Sequence, residues 1–132
     1  MNQSIKLRGR YYELPIINQP VSSITYEYSI TLGIGGFYIR INNDFIWAQY
    51  SYQTDLNISS REAWKKLYDI FGKIVIDATA DKSGSLHLKF ENGIEINVDC
   101  REDINCHSEC WHFGDINGLI IYSRPGETVI LG

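Results

Sequence analysis

The chain has 132 residues and a net charge of −4, with 44% hydrophobic and 21% charged residues. These values predict one globular domain over residues 1–132 and exclude a disordered chain, which would need fewer apolar residues and more charge. The acidic balance, without a dense basic run, argues against a nucleic-acid partner, and no apolar run approaches the ~18 residues of a membrane span.

The amino-terminal residues 1–15 lack the continuous apolar segment of a secretory signal. We interpret them as a peripheral segment of the domain and expect a cytoplasmic protein. In that compartment thiols stay reduced, so the three cysteines are expected to be free.

The first pair of predicted strands lies on either side of a glycine-rich turn at residues 33–36. Apolar and polar residues alternate on both sides of the turn, which is typical of half-buried strands. A four-residue turn would set Leu32 opposite Phe37 and Ile30 opposite Ile39.

The segment after this hairpin mixes acidic, amide and aromatic side chains, the combination that anchors many protein interfaces. We therefore choose it as the candidate partner-binding surface. The alternative is that its aromatic residues belong to the core and its acids are merely solvated. The candidate residues are Asn43, Asp44, Trp47, Gln49, Tyr50, Tyr52 and Asp55.

One helix is predicted, over about residues 60–71. Ser59 and Glu62 have the spacing of a capping box, with Ser59 as the N-cap, and Gly72 is a natural stop. An apolar stripe at helical spacing should pack on the sheet; it consists of Trp64, Leu67, Tyr68 and Phe71.

A second pair of alternating runs, at residues 86–90 and 94–98, repeats the first pair faintly. Chance alternation in a β-rich chain is the alternative explanation of this duplication. A three-residue turn over residues 91–93 sets Leu88 opposite Ile96 and puts Gly93 where a left-handed residue is needed. A two-residue turn would instead put apolar and charged side chains on the same face.

Cysteine and histidine cluster between residues 100 and 112. Zinc prefers such ligands at short spacings, but no Cys-x-x-Cys pair is present. A catalytic thiol would also need a base that sequence alone does not place beside it. We expect no metal, no cofactor and no catalysis, and keep as the alternative a metal site or thiol enzyme that uses Cys106, His107, Cys110 and His112.

Three short apolar runs, at residues 111–113, 119–122 and 128–131, end the chain as a predicted meander, separated by turn signals. The predicted fold class is therefore α+β. It is mostly an antiparallel sheet of two repeat-like hairpins and the meander, with the helix packed on it.

With these elements laid out, the chain resembles a family of small bacterial two-hairpin domains. The likeness covers about residues 20–132. It is carried by the glycine, leucine, phenylalanine and valine pattern of residues 84–98, and by Glu109-Cys110-Trp111 followed by Pro125-Gly126 and an apolar final run. The chain departs from the pattern at Cys110, where a small residue is usual, and in having one glycine after Pro125 where two are common.

That family is similar to immunity proteins of polymorphic and contact-dependent growth-inhibition toxin systems. The resemblance implies a protein that binds and neutralises the C-terminal domain of a cognate toxin, as a monomer or weak dimer. Many such toxins are basic nucleases, and an acidic, tyrosine-rich chain suits a basic partner. The alternatives are a housekeeping protein that binds a metal or small ligand, and the Cys/His enzyme.

Overall fold

The computed structural model describes residues 5–100 and 109–131. Within these ranges the chain forms thirteen strands and one short helix, α1 (Arg61–Leu67). No helix in the described part is long and apolar enough to cross a membrane. The strands are β1 (Lys6–Arg8), β2 (Tyr11–Glu13), β3 (Val21–Tyr26), β4 (Ile30–Ile34), β5 (Phe37–Ile41), β6 (Phe45–Gln49), β7 (Tyr52–Leu56), β8 (Val75–Asp81), β9 (Leu86–Phe90), β10 (Ile94–Val98), β11 (Trp111–Asp115), β12 (Gly118–Arg124) and β13 (Glu127–Ile130).

The strands form two antiparallel sheets. One has seven strands in the order β1-β2-β8-β9-β10-β6-β7, and the other has six in the order β13-β12-β11-β5-β4-β3. The mostly antiparallel α+β fold is thus confirmed. A single curved sheet is not what forms, because the two repeat-like hairpins lie in different sheets.

Alternation along the strands builds one core between the sheets. Leu32 and Ile39 of the six-stranded sheet and Leu88 and Ile96 of the seven-stranded sheet are fully buried in the same cluster. Their neighbours in the chain point outward, as the two-residue period of a strand requires. Each sheet therefore has one apolar face and one face available to solvent or a partner.

The second hairpin, β9–β10, has the predicted register. Leu88 lies opposite Ile96 and Lys89 opposite Glu95. Gly93 has φ +85°, and its N–H donates to the carbonyl of Phe90 at 3.0 Å. The three-residue turn is confirmed, because only this length keeps every apolar side chain on the core face.

The predicted register of the first hairpin, β4–β5, is wrong. Leu32 lies opposite Ile39, and Ile34 pairs with Phe37, so the turn contains only Gly35 and Gly36. Both glycines have positive φ, 57° and 84°, the backbone of a two-residue turn whose twist matches that of the strands. The error of two residues leaves every side chain on its predicted face, which is why alternation could not detect it.

Helix α1 begins one residue later than predicted. Ser60 is the N-cap, and its hydroxyl accepts from the N–H of Ala63 at 3.1 Å. Glu62 does not close a capping box onto Ser59; its nearest charged partner is Lys66, at 3.9 Å. After Leu67 the chain tightens into a 3₁₀ turn, Tyr68–Ile70.

The buried side of this helical segment is not the predicted aromatic stripe. Ala63, Leu67 and Ile70 are buried, whereas Tyr68 and Phe71 are 60% and 56% exposed. Both sets have helical spacing, and the small side chain of Ala63 lets the helix backbone approach the core closely. Of the predicted stripe, only Leu67 points inward.

The termini complete the two sheets. β1 and β2 extend the seven-stranded sheet at β8, and Leu14 and Ile16, which follow β2, are fully buried. At the other end the predicted meander is present as β11, β12 and β13. At its last turn, a hydrogen bond from Arg124 to Glu127 raises the pKa of the guanidinium above its ordinary value.

A disulfide between Cys100 and Cys110 joins the end of β10 to the start of β11, with a Cα–Cα distance of 5.9 Å. It therefore links one sheet to the other. The expectation that the thiols stay reduced is wrong for this pair, because the topology brings together two cysteines that the sequence separates by ten positions. Beside the bridge, the indole N–H of Trp111 donates to the carbonyl of Gly84 at 2.8 Å.

Candidate protein-binding surface

Helix α1 contacts an edge strand of each sheet. On one flank the ring of Trp64 meets Tyr26 of β3, the last strand of the six-stranded sheet. On the other flank the ammonium of Lys66 lies near Tyr52 of β7, the last strand of the seven-stranded sheet. The helix therefore lies between the β3 edge of the six-stranded sheet and the β7 edge of the seven-stranded sheet.

The flank facing β3 leaves aromatic rings in contact with solvent. Trp64 is 37% and Tyr68 60% exposed. The Trp64 ring lies edge-on to both neighbours, with its centroid 6.4 Å from that of Tyr26 and 4.7 Å from that of Tyr68. Arg61 is exposed beside them. We call Tyr26, Arg61, Trp64 and Tyr68 the helix surface.

The flank facing β7 is more closed. Trp47 is only 3% exposed, and the Lys66 ammonium lies 4.5 Å from the centre of its ring. Tyr52 meets Trp47 edge-on at 5.9 Å. The buried indole N–H of Trp47 has no hydrogen-bond partner within the described residues, and the cation–π contact with Lys66 stabilises the ring in this position.

Three residues of the sequence-predicted surface hold loops in place. The Asn43 amide donates to the carbonyl of Asp99 at 3.2 Å. The Asp44 carboxylate accepts from the N–H of Ile58 at 2.7 Å. The Gln49 amide donates to the carbonyl of Asn92 at 3.1 Å. Trp47 is buried and Asn43 and Gln49 are partly buried, whereas Asp44 is exposed although its carboxylate is hydrogen-bonded.

The other three predicted residues, Tyr50, Tyr52 and Asp55, are exposed. Tyr50 is 80% exposed, yet its ring lies against Gly93, where an added Cβ would come within 2.7 Å of it. Tyr52 and Asp55 point to opposite sides of β7, because they are three positions apart on a strand. Tyr52 joins the helix side of the molecule, and Asp55 joins the outward face of the seven-stranded sheet.

That outward face is polar and acidic. The strand registers place five carboxylates and three basic side chains on this face, with His87 near its middle. We call these residues the outer face: the acids Glu13, Asp55, Asp77, Asp81 and Glu95, the bases Lys6, Arg8 and Lys89, and His87.

Several polar groups of the outer face form hydrogen bonds or ion pairs with one another. The Nδ1 atom of His87 lies 2.6 Å from the amide oxygen of Asn97, and its Nε2 lies 3.4 Å from Glu95 and 3.8 Å from Asp77. Arg8 donates to Glu13 at 2.7 Å. An open groove of about 710 Å³ runs beside His87 and the exposed ring of Tyr11.

Two of the four residues of the Cys/His alternative, Cys110 and His112, lie in the described part of the chain. Cys110 is bonded to Cys100, so it offers no thiolate. The Nδ1 atom of His112 lies 2.8 Å from the Glu109 carboxylate. Cys106 and His107 lie outside the described residues. Over residues 5–100 and 109–131, no three His, Cys, Asp or Glu side chains are grouped to hold a metal ion.

Sequence reasoning missed Trp64 and Tyr68 as surface residues because it assigned them to the core. The signal that could have distinguished the two faces is Ala63 together with Leu67 and Ile70, a second apolar stripe with helical spacing and a small first member. A helix with two stripes and one core leaves one stripe exposed, and an exposed aromatic cluster is the informative observation.

Comparison with known proteins adds the family but no function. No curated protein and no solved structure is significantly similar to the chain. A family model described as a family of unknown function, DUF6188, matches residues 12–131, a range that includes the helix and every strand except β1 and the first residue of β2. The chain therefore belongs to the DUF6188 family.

Proposed function

We propose that this protein is an immunity protein, which binds the C-terminal domain of a cognate bacterial toxin and neutralises it without chemistry of its own. The observation that carries the binding function is the exposed Trp64, fixed between Tyr26 and Tyr68 and next to Arg61. Trp, Tyr and Arg are the residue types that contribute most to protein interfaces.

The arrangement suits a protein partner better than a small ligand. The exposed rings lie along the side of a helix, where a flat or convex surface can cover several of them at once. Leaving such rings in water sacrifices about 25 cal/mol for each Å² of apolar surface that a partner could bury. Rigid aromatic side chains also lose little conformational entropy when they bind.

The charge distribution supports a basic partner. Carboxylates outnumber basic groups on the outer face. Strand β7 joins this face to the part of the molecule near helix α1, because Asp55 and Tyr52 point to opposite sides of the strand. A basic toxin would be attracted at long range by this face. It would then bind through the neighbouring aromatic groups. In this proposal the protein is a monomer or weak dimer until the toxin arrives.

The choice of a toxin as the partner rests on the resemblance of residues 84–98 and of the Glu109-Cys110-Trp111 element to the immunity-like domains. A nuclease toxin acts where nucleic acid is, so the proposed site of action is the cytoplasm. The Cys100–Cys110 disulfide is more typical of oxidising compartments. Alkylation of whole cells before lysis, followed by mass measurement, tests the proposed site of action. Alkylation of Cys100 and Cys110 would mean that the pair is reduced in cells and would support the cytoplasm, whereas a pair that stays bonded would favour an oxidising compartment.

Co-expression with the C-terminal domain of a neighbouring toxin gene tests the function. The wild-type chain should restore growth and co-purify with the toxin at one to one. The double variant Trp64→Ala with Tyr68→Ala should lose both properties while keeping its circular-dichroism spectrum.

A matched control is Ile116→Ala, which removes an apolar side chain that is 97% exposed in the β11–β12 turn. This variant should rescue growth as well as the wild type does. Toxin-induced arrest that the wild-type chain cannot relieve would overturn the proposed function.

A further inference from the structure

A pocket opens on the helix surface between Tyr26 and Trp64. Its volume is about 310 Å³, and its lining includes Arg61 and the two serines before the helix, Ser59 and Ser60. Ligand pockets span ~300–1,000 Å³, so this one suits one or two side chains of a bound segment and is too small for a large cofactor.

The aromatic walls of the pocket are held in place before anything binds. The planes of Trp64 and Tyr26 meet at 77°, and those of Trp64 and Tyr68 at 87°. Tyr26 is partly buried against the core. Because these rings support one another, little conformational entropy is lost when an apolar group enters between them.

The serine hydroxyls of the pocket are already used. Ser59 donates to the side-chain oxygen of Asn57 at 2.7 Å. Ser60 donates to the carbonyl of Asn57 at 2.8 Å and accepts from the N–H of Ala63 at 3.1 Å.

The guanidinium of Arg61, in contrast, is exposed and has no ion pair or hydrogen bond within the described part of the chain. It is therefore the polar group that the pocket offers to a partner.

We infer that this pocket receives an apolar side chain of the toxin together with a neighbouring aspartate or glutamate, whose carboxylate pairs with Arg61. This inference rests on the proposed function and names the chemistry of its contact. A guanidinium binds a carboxylate through two parallel hydrogen bonds. The acidic outer face attracts a basic toxin at long range, whereas the pocket selects an acidic residue at the contact.

The first test measures binding of the toxin domain to three variants of the full chain. Arg61→Glu should weaken the complex at least tenfold, and Arg61→Lys should weaken it less because the charge remains. Lys65→Glu is the matched control, since it makes the same charge change one helical turn away and outside the pocket lining; it should weaken the complex less than threefold. Equal losses for Arg61→Glu and Lys65→Glu, or no loss for Arg61→Glu, would overturn the pocket and leave the proposed function intact.

The second test needs no toxin. Trp64 is the exposed one of three tryptophans, since Trp47 and Trp111 are buried, and its indole N–H signal in a nuclear magnetic resonance spectrum reports on the pocket. Titration of this signal should give a dissociation constant for acetylated leucyl-aspartyl amide at least threefold lower than that for leucyl-asparaginyl amide. The Arg61→Gln substitution should abolish this difference in affinity. Equal response to the two peptides, or no response to either, contradicts the inference.

Discussion

The helix surface and the outer face differ in how their side chains are satisfied. On the outer face, Arg8 pairs with Glu13, and His87 lies between Asn97, Glu95 and Asp77. On the helix surface, Arg61 has no partner within the described residues, and the rings of Trp64 and Tyr68 face solvent. A polar face whose charged groups form hydrogen bonds and ion pairs with one another is stable in water without a partner. An exposed aromatic cluster beside an unpaired guanidinium gains the most from one.

The largest expected difference between the two regions is in binding affinity. Trp64→Ala should cost the toxin complex about 2–4 kcal/mol, or roughly 30-fold to 1,000-fold in Kd, as central aromatic contacts do. Tyr11→Ala, which removes a ring that is 51% exposed in the groove beside the outer face, should cost less than about 0.5 kcal/mol. Calorimetric titration of both variants measures this difference. Equal losses would mean that the two regions bind alike.

The two sides of helix α1 should differ in stability. Ala63→Leu forces a larger side chain into a fully buried position, and overpacking of this kind costs about 1–3 kcal/mol. Trp64→Ala should lower the free energy of unfolding by less, because that ring is partly in water. Urea denaturation of both variants checks the order. A greater loss for Trp64→Ala would show that the aromatic stripe supports the core after all.

Two glycines test whether the exposed Tyr50 is free or held by its neighbour. Gly93 and Gly36 have φ of 85° and 84°, so replacing either by alanine imposes the same backbone strain, about 1 kcal/mol. An added Cβ meets nothing within 4 Å at Gly36, but it meets the Tyr50 ring at Gly93. Gly93→Ala should therefore destabilise the fold more than Gly36→Ala.

In the Tyr50→Ala background the two alanine substitutions should cost the same, as judged by thermal unfolding. A cost that stays larger at Gly93 without the tyrosine would show that the ring is not the obstacle, and that Tyr50 is a free surface group.

The smallest effect belongs to the charges of the outer face. Asp77→Asn with Glu95→Gln removes two acids that flank His87. The association rate constant with a basic toxin should fall less than tenfold, which corresponds to about 1 kcal/mol in the activation free energy of association. It should also become less sensitive to salt. The dissociation rate should not change. Stopped-flow measurements at two ionic strengths separate the two rates, and faster dissociation would place a direct contact on the outer face.

The sequence predicts the β9–β10 hairpin fully because only one turn length keeps its apolar residues together. It does not predict the β4–β5 turn, because a shift of two residues preserves both faces and only the positive φ of Gly35 and Gly36 distinguishes the pairings. The exposed flank of α1 could not be predicted for a similar reason, because two apolar stripes with helical spacing lie on the same helix and either could face the core. The contact between Cys100 and Cys110 depends on how two sheets meet, which no local pattern contains.

At the candidate site, the predicted residues differ in exposure and in how their polar groups are used. Tyr50, Tyr52 and Asp55 are on the surface as the interface hypothesis requires, and their role in binding stays a prediction. Asn43, Asp44 and Gln49 were predicted from the same mixture of residue types, but their polar groups form hydrogen bonds with backbone partners. Composition alone cannot separate these two uses.

Side-chain footprinting of the toxin complex by hydroxyl radicals tests the central claim most directly, because it compares exposed rings of both regions in a single sample. We expect Trp64 and Tyr68 to become protected on binding while Tyr11 stays as reactive as in the free protein. Protection of Tyr11 with unchanged reactivity at Trp64 would contradict the account and move the interface to the outer face.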